Sequence, residues 1–284
     1  FLRDFEGLSF REACNRLNRP LPTSRNLRYP TLPKPGQWTP NRYDSPSDQW
    51  REHAGKFVTW AYEHLMESAP LIERLAKRGI NERSIAHFGL GWNPGQNGRD
   101  LYRARKAWGL PCEENSNGKP KALWLPRGMV IPFFDGAGLQ RIRIRRAGEL
   151  DFGPRYYFVP GSSSRTMLIN PDRSAFVVVE SELDAVLISQ VAGDLLGAVA
   201  LGSVSTKPDD VAERILRNSV EILVSLDFDE AGAKYWAWWK QQFPDCERWP
   251  VPEGKDPGEA YQAGVDLRAW VKAGLPPGLR MGQQ

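Results

Sequence analysis

The sequence predicts an α/β chain, mixed α+β overall, in which a central parallel-rich sheet flanked by helices follows a helical and antiparallel-sheet subdomain. Three observations predict it. From Ala175 onward, the compact apolar runs AFVVVE, LLGAVAL and VEILVSLD alternate with helical segments near 182–192, 208–217 and 230–242, the pattern of βαβ units and parallel strands. Between 122 and 159 the runs ALWL, MVIPFF, LQRIRIRR and RYYFV are short, β-rich and separated by turns such as Asp135-Gly136-Ala137-Gly138, which suits an antiparallel sheet. A length of 284 residues, with 41% hydrophobic and 25% charged, is enough chain to bury a core in two packed units.

In chain order, residues 1–19 carry a short amphipathic helix, with Ser9 and Glu12 placed as a capping box. Prolines recur among polar residues through 20–46, which blocks regular structure and predicts an extended linker. A subdomain over 47–172 opens with a helix from about Asp48 to Glu67, capped by Ser47, with Trp50, Phe57, Val58, Ala61 and Leu65 at helical spacing. Two shorter helices near 70–78 and 81–87 lead into the β-rich runs. The βαβ domain spans 173–262, and a helix and tail occupy 263–284. Tyr235, Trp239 and Phe243 recur every four residues, so the tryptophans at 236, 238 and 239 read as core packing rather than as base-stacking groups.

Composition excludes several classes. No apolar run approaches the length of a membrane span, so a membrane partner is not expected. Cys14, Cys112 and Cys246 are scattered outside any metal-ligand spacing, which predicts no zinc within these residues and a cytoplasmic setting. The net charge of +4 is too small to argue nucleic-acid binding by itself. His53, His64 and His87 lack the spacing or acidic partners of catalytic groups. Phe1 opens the chain without Met or a charged-then-apolar leader, which reads as a fragment.

The chemistry lies in the acids. Glu180 ends FVVVE and Asp227 ends VEILVSLD, and ligands of open parallel sheets gather beyond the carboxyl ends of strands. Asp227 and Asp229 stand two apart and share a face while the chain is extended, as two carboxylates gripping one cation require. Asp184 lies four residues after Glu180, in the first turn of the next helix, and Asp256 precedes a turn-forcing proline in GKDPGE. Carboxylates crowded into one crevice repel unless a divalent cation neutralises them, and oxygen-only ligands favour Mg²⁺, with Mn²⁺ able to substitute. Two such ions could activate a 3′ hydroxyl and hold a triphosphate, and Glu180 could also act as general base. Taken singly, each acid has an ordinary alternative: Asp184 as part of a capping box, Asp229 as a helix cap, Asp227 and Asp256 as turn residues, Glu180 as a solvated strand end.

In this order the motifs VVVESELDAVLI, AVALGSVST, VSLDFDEAGAKYW and VPEGKDPGEAY, over 176–262, resemble the TOPRIM domain of DnaG-type bacterial primases. The resemblance implies that Glu180, Asp227 and Asp229 are catalytic and that these three, Asp184 and Asp256 bind metal. Ser181 and Phe228 stand where the family usually has Gly, and Gly258 replaces a second acid, for which Glu259 is the available substitute. Upstream, GINERSIAHFGLGWNP (79–94), RGMVIPFFDGAGLQRIRIR (127–145) and GPRYYFV (153–159) resemble the primase subdomain that precedes TOPRIM, and 1–18 resembles the tail of a zinc-binding domain whose ligands lie before Phe1. After Leu275 only PPGLRMGQQ remains, so the family's helicase-binding domain is not expected here, through trimming or as in a phage or mobile-element variant.

Beside the acids runs a basic stripe. In LQRIRIRR, Arg141, Arg143 and Arg145 alternate with Ile142 and Ile144, so one strand face presents three guanidinium groups. Arg127, Arg155, Arg165 and Lys207 extend the stripe to phosphates and Tyr156 offers a ring to a base, a combination suited to single-stranded DNA. The alternatives are a charged edge strand and a core tyrosine. The expected function is template-directed synthesis of RNA primers on single-stranded DNA from nucleoside triphosphates, at the replication fork and beside a replicative helicase. A TOPRIM nuclease or strand-cleaving enzyme, and an inactive TOPRIM DNA-binding module, are the rival expectations.

Overall fold

The computed structural model describes residues 38–115, 117–148, 154–203, 205–226 and 230–281, with the side chains of 230–234 left aside. The expected helix over 1–19, most of the linker, and Asp227 and Asp229 lie outside the described residues. The chain divides into two units, Phe1–Thr39 and Pro40–Gln284, and every element below belongs to the second.

Helix α1 (Asp48–Met66) starts where the Ser47 side chain accepts a hydrogen bond from the Trp50 amide, and it buries Trp50, Ala54, Phe57, Val58, Ala61 and Leu65 on one face. That face lies on a four-stranded antiparallel sheet of order β1-β4-β5-β6, formed by Gly91–Asn93, Gly128–Asp135, Gly138–Arg146 and Tyr156–Phe158. Gly91 is required there, since a Cβ would come within 2.6 Å of the Ala61 backbone. Ile142 and Ile144 of β5 join Trp50, Phe57 and Val130 in the core beneath α1. The short helices α2 (Ala69–Lys77) and α3 (Glu82–Phe88) intervene between α1 and β1, and a small hairpin pairs β2 (Leu101–Arg103) with β3 (Leu123–Leu125).

The second sheet has the order β11-β10-β8-β9-β7. Strands β8 (Ala175–Val179), β9 (Gly197–Ala200), β10 (Glu221–Ser225) and β11 (Glu247–Arg248) run parallel, and β7 (Met167–Ile169) closes one edge antiparallel to β9. Helices α4 (Glu182–Ala192), α5 (Asp210–Arg217) and α6 (Glu230–Gln242) follow β8, β9 and β10 in turn, as the alternation of apolar runs predicts. Every residue from Glu182 to Ile188 is buried, because α4 packs on the sheet through β8 and β9 and also against α7 (Pro257–Gln262) and α8 (Leu267–Gly274). Strand β7 has no counterpart among the expected elements, since three residues carry too little alternation to stand out. Trp239 and Phe243 are buried as their spacing requires, whereas Trp238 is only partly covered. No helix of the described residues is long and apolar enough to cross a membrane.

Candidate acidic site and basic cleft

The register of the parallel sheet sets the rim. Val179 pairs with Ser225 on one side and with Ala200 on the other, so the chain leaves β8, β9 and β10 side by side at their carboxyl ends. Glu180 follows at once and is half-buried. Its carbonyl accepts from the Gly202 amide at 2.7 Å, tying it to the turn after β9. Gly202 sits at φ +82°, and a Cβ there would lie 2.6 Å from Arg143 Nη1. Asp227 and Asp229 begin two residues beyond Ser225, outside the described residues.

Asp184 stands one helical turn inside this rim and is 2% exposed. Ser181 caps α4, accepting from the Asp184 amide at 3.2 Å, while its hydroxyl donates to Asp184 Oδ2 at 2.5 Å. The other oxygen, Oδ1, accepts from Arg78 Nη2 at 2.9 Å. Burial pushes the Asp184 carboxyl above its ordinary value, against the pull of Arg78. Asp256 caps α7, its Oδ1 accepting from the Glu259 amide at 2.7 Å, and its Oδ2 lies 3.7 Å from the same Arg78 Nη2. Glu259 turns back to accept from the Lys255 amide at 3.0 Å, so it closes the helix start instead of replacing the acid missing at Gly258. Asp184 and Asp256 thus converge on a guanidinium. Among the described residues, no three His, Cys, Asp or Glu side chains stand together as a metal-holding group.

The stripe on β5 alternates as expected, but two of its three arginines face protein. Arg141 is 5% exposed and donates to Glu182 Oε1 at 3.2 Å and to the Arg165 carbonyl at 2.7 Å. Arg143 Nη1 reaches both oxygens of Glu182, at 2.8 and 2.9 Å, and its Nη2 donates to the Gly202 carbonyl at 2.8 Å. Glu182 is itself 1% exposed. The expectation that Arg141 and Arg143 are free to track phosphates is therefore corrected: the face is covered by the start of α4, and the strand pattern could not show the covering. Tyr156 stacks on Arg143, with the guanidinium carbon 4.6 Å from the ring centre, and burial raises its phenol above the ordinary value. Its ring is committed to protein.

Arg145 and Arg155 are placed differently. Together with Arg74, Lys77, Arg78 and Arg146 they line a cleft of about 640 Å³ whose described walls contain no carboxylate. Arg127 is held apart by the Pro94 and Gly98 carbonyls, both at 3.0 Å, and Arg165 pairs with Asp135 at 2.8 Å, so neither lines that cleft. Lys207 lies 3.6 Å from the centre of the Trp238 ring, and burial pulls its ammonium down to about 8. Arg78, absent from the expected site, is the one described residue that both lines the cleft and grips Asp184. Its sequence signal is weak, one of three basic residues in the last turn and cap of α2 that only tertiary packing brings to the acids.

The sequence matches no protein-family model, and no curated protein matches it. Solved structures do share its fold. The zinc-binding and RNA polymerase domains of the Aquifex aeolicus primase superpose with a TM-score of 0.58 at 19% identity, covering 96% of this chain and 69% of that one. A DNA primase domain from Pseudomonas aeruginosa gives 0.57 at 21% identity, covering 78% of each chain. The DnaG primase catalytic domain bound to single-stranded DNA gives 0.58 at 17% identity, over 82% of this chain and 83% of that one. The chain therefore has the mixed α+β fold of DnaG-type primase catalytic cores.

Proposed function

We propose that this chain is a primase core, which joins ribonucleotides on a single-stranded DNA template by metal-dependent nucleotidyl transfer. The observation that carries the reading is the junction at Arg78. On a fold shared with solved primase cores, one residue joins a basic cleft, whose described walls hold no carboxylate, to the acidic rim of a parallel sheet. The cleft suits polyphosphate and backbone phosphates, with Arg145 and Arg155 as phosphate ligands that position without reading sequence. Glu180, Asp227 and Asp229 would supply an oxygen-only donor set of the kind that hard divalent cations take, so they are the residues proposed to hold Mg²⁺ or Mn²⁺. Bound there, the metal would lower the barrier by neutralising charge on the attacking and leaving oxygens.

The test combines the full chain with single-stranded DNA, a supplied primer, labelled ribonucleotides and Mg²⁺ or Mn²⁺. Extension is expected, with Glu180→Gln and Asp227→Asn each reducing it by about 10²–10³-fold, the size of loss when one preorganised electrostatic group is removed. Shortening of the template without extension would identify a nuclease instead. DNA binding without chemistry, unchanged by either substitution, would identify a binding module.

A further inference from the structure

At the Asp184 and Asp256 end of the rim, the described residues do not fit a metal ion. Asp184 is 2% exposed, with one oxygen on the Ser181 hydroxyl and the other on Arg78. Asp256 has one oxygen on the Glu259 amide and the other 3.7 Å from Arg78 Nη2. Space for that guanidinium exists because position 258 is glycine. A Cβ on Gly258 would lie 2.8 Å from Arg78 Nη2, 2.9 Å from Cζ and 3.0 Å from Nε, so the planar group rests flat against the backbone of α7. Burial works against the Arg78 charge, but Asp184 and Asp256 outweigh it and hold the guanidinium more firmly protonated than usual.

We propose that Arg78 is a built-in cation that takes the place of a divalent metal between Asp184 and Asp256, so that metal binding is confined to the Glu180 side of the rim. Two carboxylates that would otherwise repel are bridged by one fixed positive charge just past the end of α2, which offsets part of their repulsion, and the missing side chain at 258 makes the fit. A guanidinium cannot be chelated or exchanged and brings no water, so this end of the site is permanently charged and only positions. The inference rests on the metal-dependent reading above for the Glu180 side, yet it concerns residues that can be tested without any turnover.

The experiment counts bound Mn²⁺ by electron paramagnetic resonance on the full chain, without nucleotide or DNA. Asp256→Asn keeps the helix cap, since Asn and Asp cap comparably, and therefore folds. It is expected to bind as many Mn²⁺ ions as the unsubstituted chain. Arg78→Ala is expected to gain one Mn²⁺, and the double variant Arg78→Ala/Asp256→Asn to lose that gain. Loss of a Mn²⁺ ion in Asp256→Asn alone overturns the proposal, whether or not Arg78→Ala folds. A folded Arg78→Ala that gains no ion overturns it as well. A chain that binds no Mn²⁺ until Arg78 is removed upholds the inference and sinks the metal-dependent function, so the two failures are distinguishable.

Discussion

Lys207 shows how a single side chain responds to the rim it closes. It follows the turn after β9 and places its ammonium 3.6 Å from the Trp238 ring centre and 5.2 Å from that of Tyr235, both on α6. Burial lowers it to about 8 from an ordinary 10.5. The folded chain therefore sheds this proton while the unfolded chain keeps it, so stability from Lys207 rises with pH between about 8 and 10.5. The cost of the buried charge is full below that window. Thermal unfolding of the chain and of Lys207→Met, followed from about pH 7 to pH 10, should show the unsubstituted chain gaining on the variant as pH rises. A difference that stays flat would place the ammonium in water. Asp227 and Asp229 are expected from spacing, lie outside the described residues, and are judged by the Mn²⁺ and extension assays alone.

At the scale of elements, the decisive joint is between β5 and α4. The alternation in LQRIRIRR fixes which side chains share a face, and Ile142 and Ile144 do pack beneath α1. It does not say what covers the other face. Glu182, in the first turn of α4, inserts between Arg141 and Arg143, and the same Arg143 holds the Gly202 carbonyl while the Gly202 amide holds Glu180. An ion pair thus docks the antiparallel sheet against the parallel one and braces the turn beside Glu180. Truncation to Glu182→Ala leaves two largely buried guanidinium groups uncompensated, which should cost about 3–5 kcal/mol. Urea denaturation is the measurement, with the midpoint falling at constant slope. Removing the exposed partner of Lys56, Glu52, serves as the control and should leave the midpoint unchanged.

For the whole molecule, the useful quantity is the field of the cleft. A net charge of +4 says little, because charge is unevenly placed: among the described residues, six cations and no carboxylate line about 640 Å³ beside the acidic rim. Binding of a single-stranded DNA oligomer should weaken as salt rises, with a slope of about −0.7 per phosphate neutralised. Arg145→Ala and Arg155→Ala should each flatten that slope by about 0.7, while Arg141→Ala should act through stability instead. Fluorescence anisotropy at several salt concentrations separates these outcomes. Equal slopes for all three variants would mean that the cleft is not the binding face.

What the sequence by itself determined was local and periodic. The alternation of apolar runs and helices, the helix from Ser47 onward, the faces of β5 and the strand-end position of Glu180 all follow from repeats of two or 3.6 residues and from capping chemistry. Tertiary structure alone decided which charges meet. Arg78 reaches Asp184 across 106 positions and Glu182 reaches Arg141 across 41, and no periodic signal spans such separations. A carboxylate's role turns on the cation that lies within about 3–4 Å of it, because charge interactions in a protein interior decay with distance in space and not along the chain.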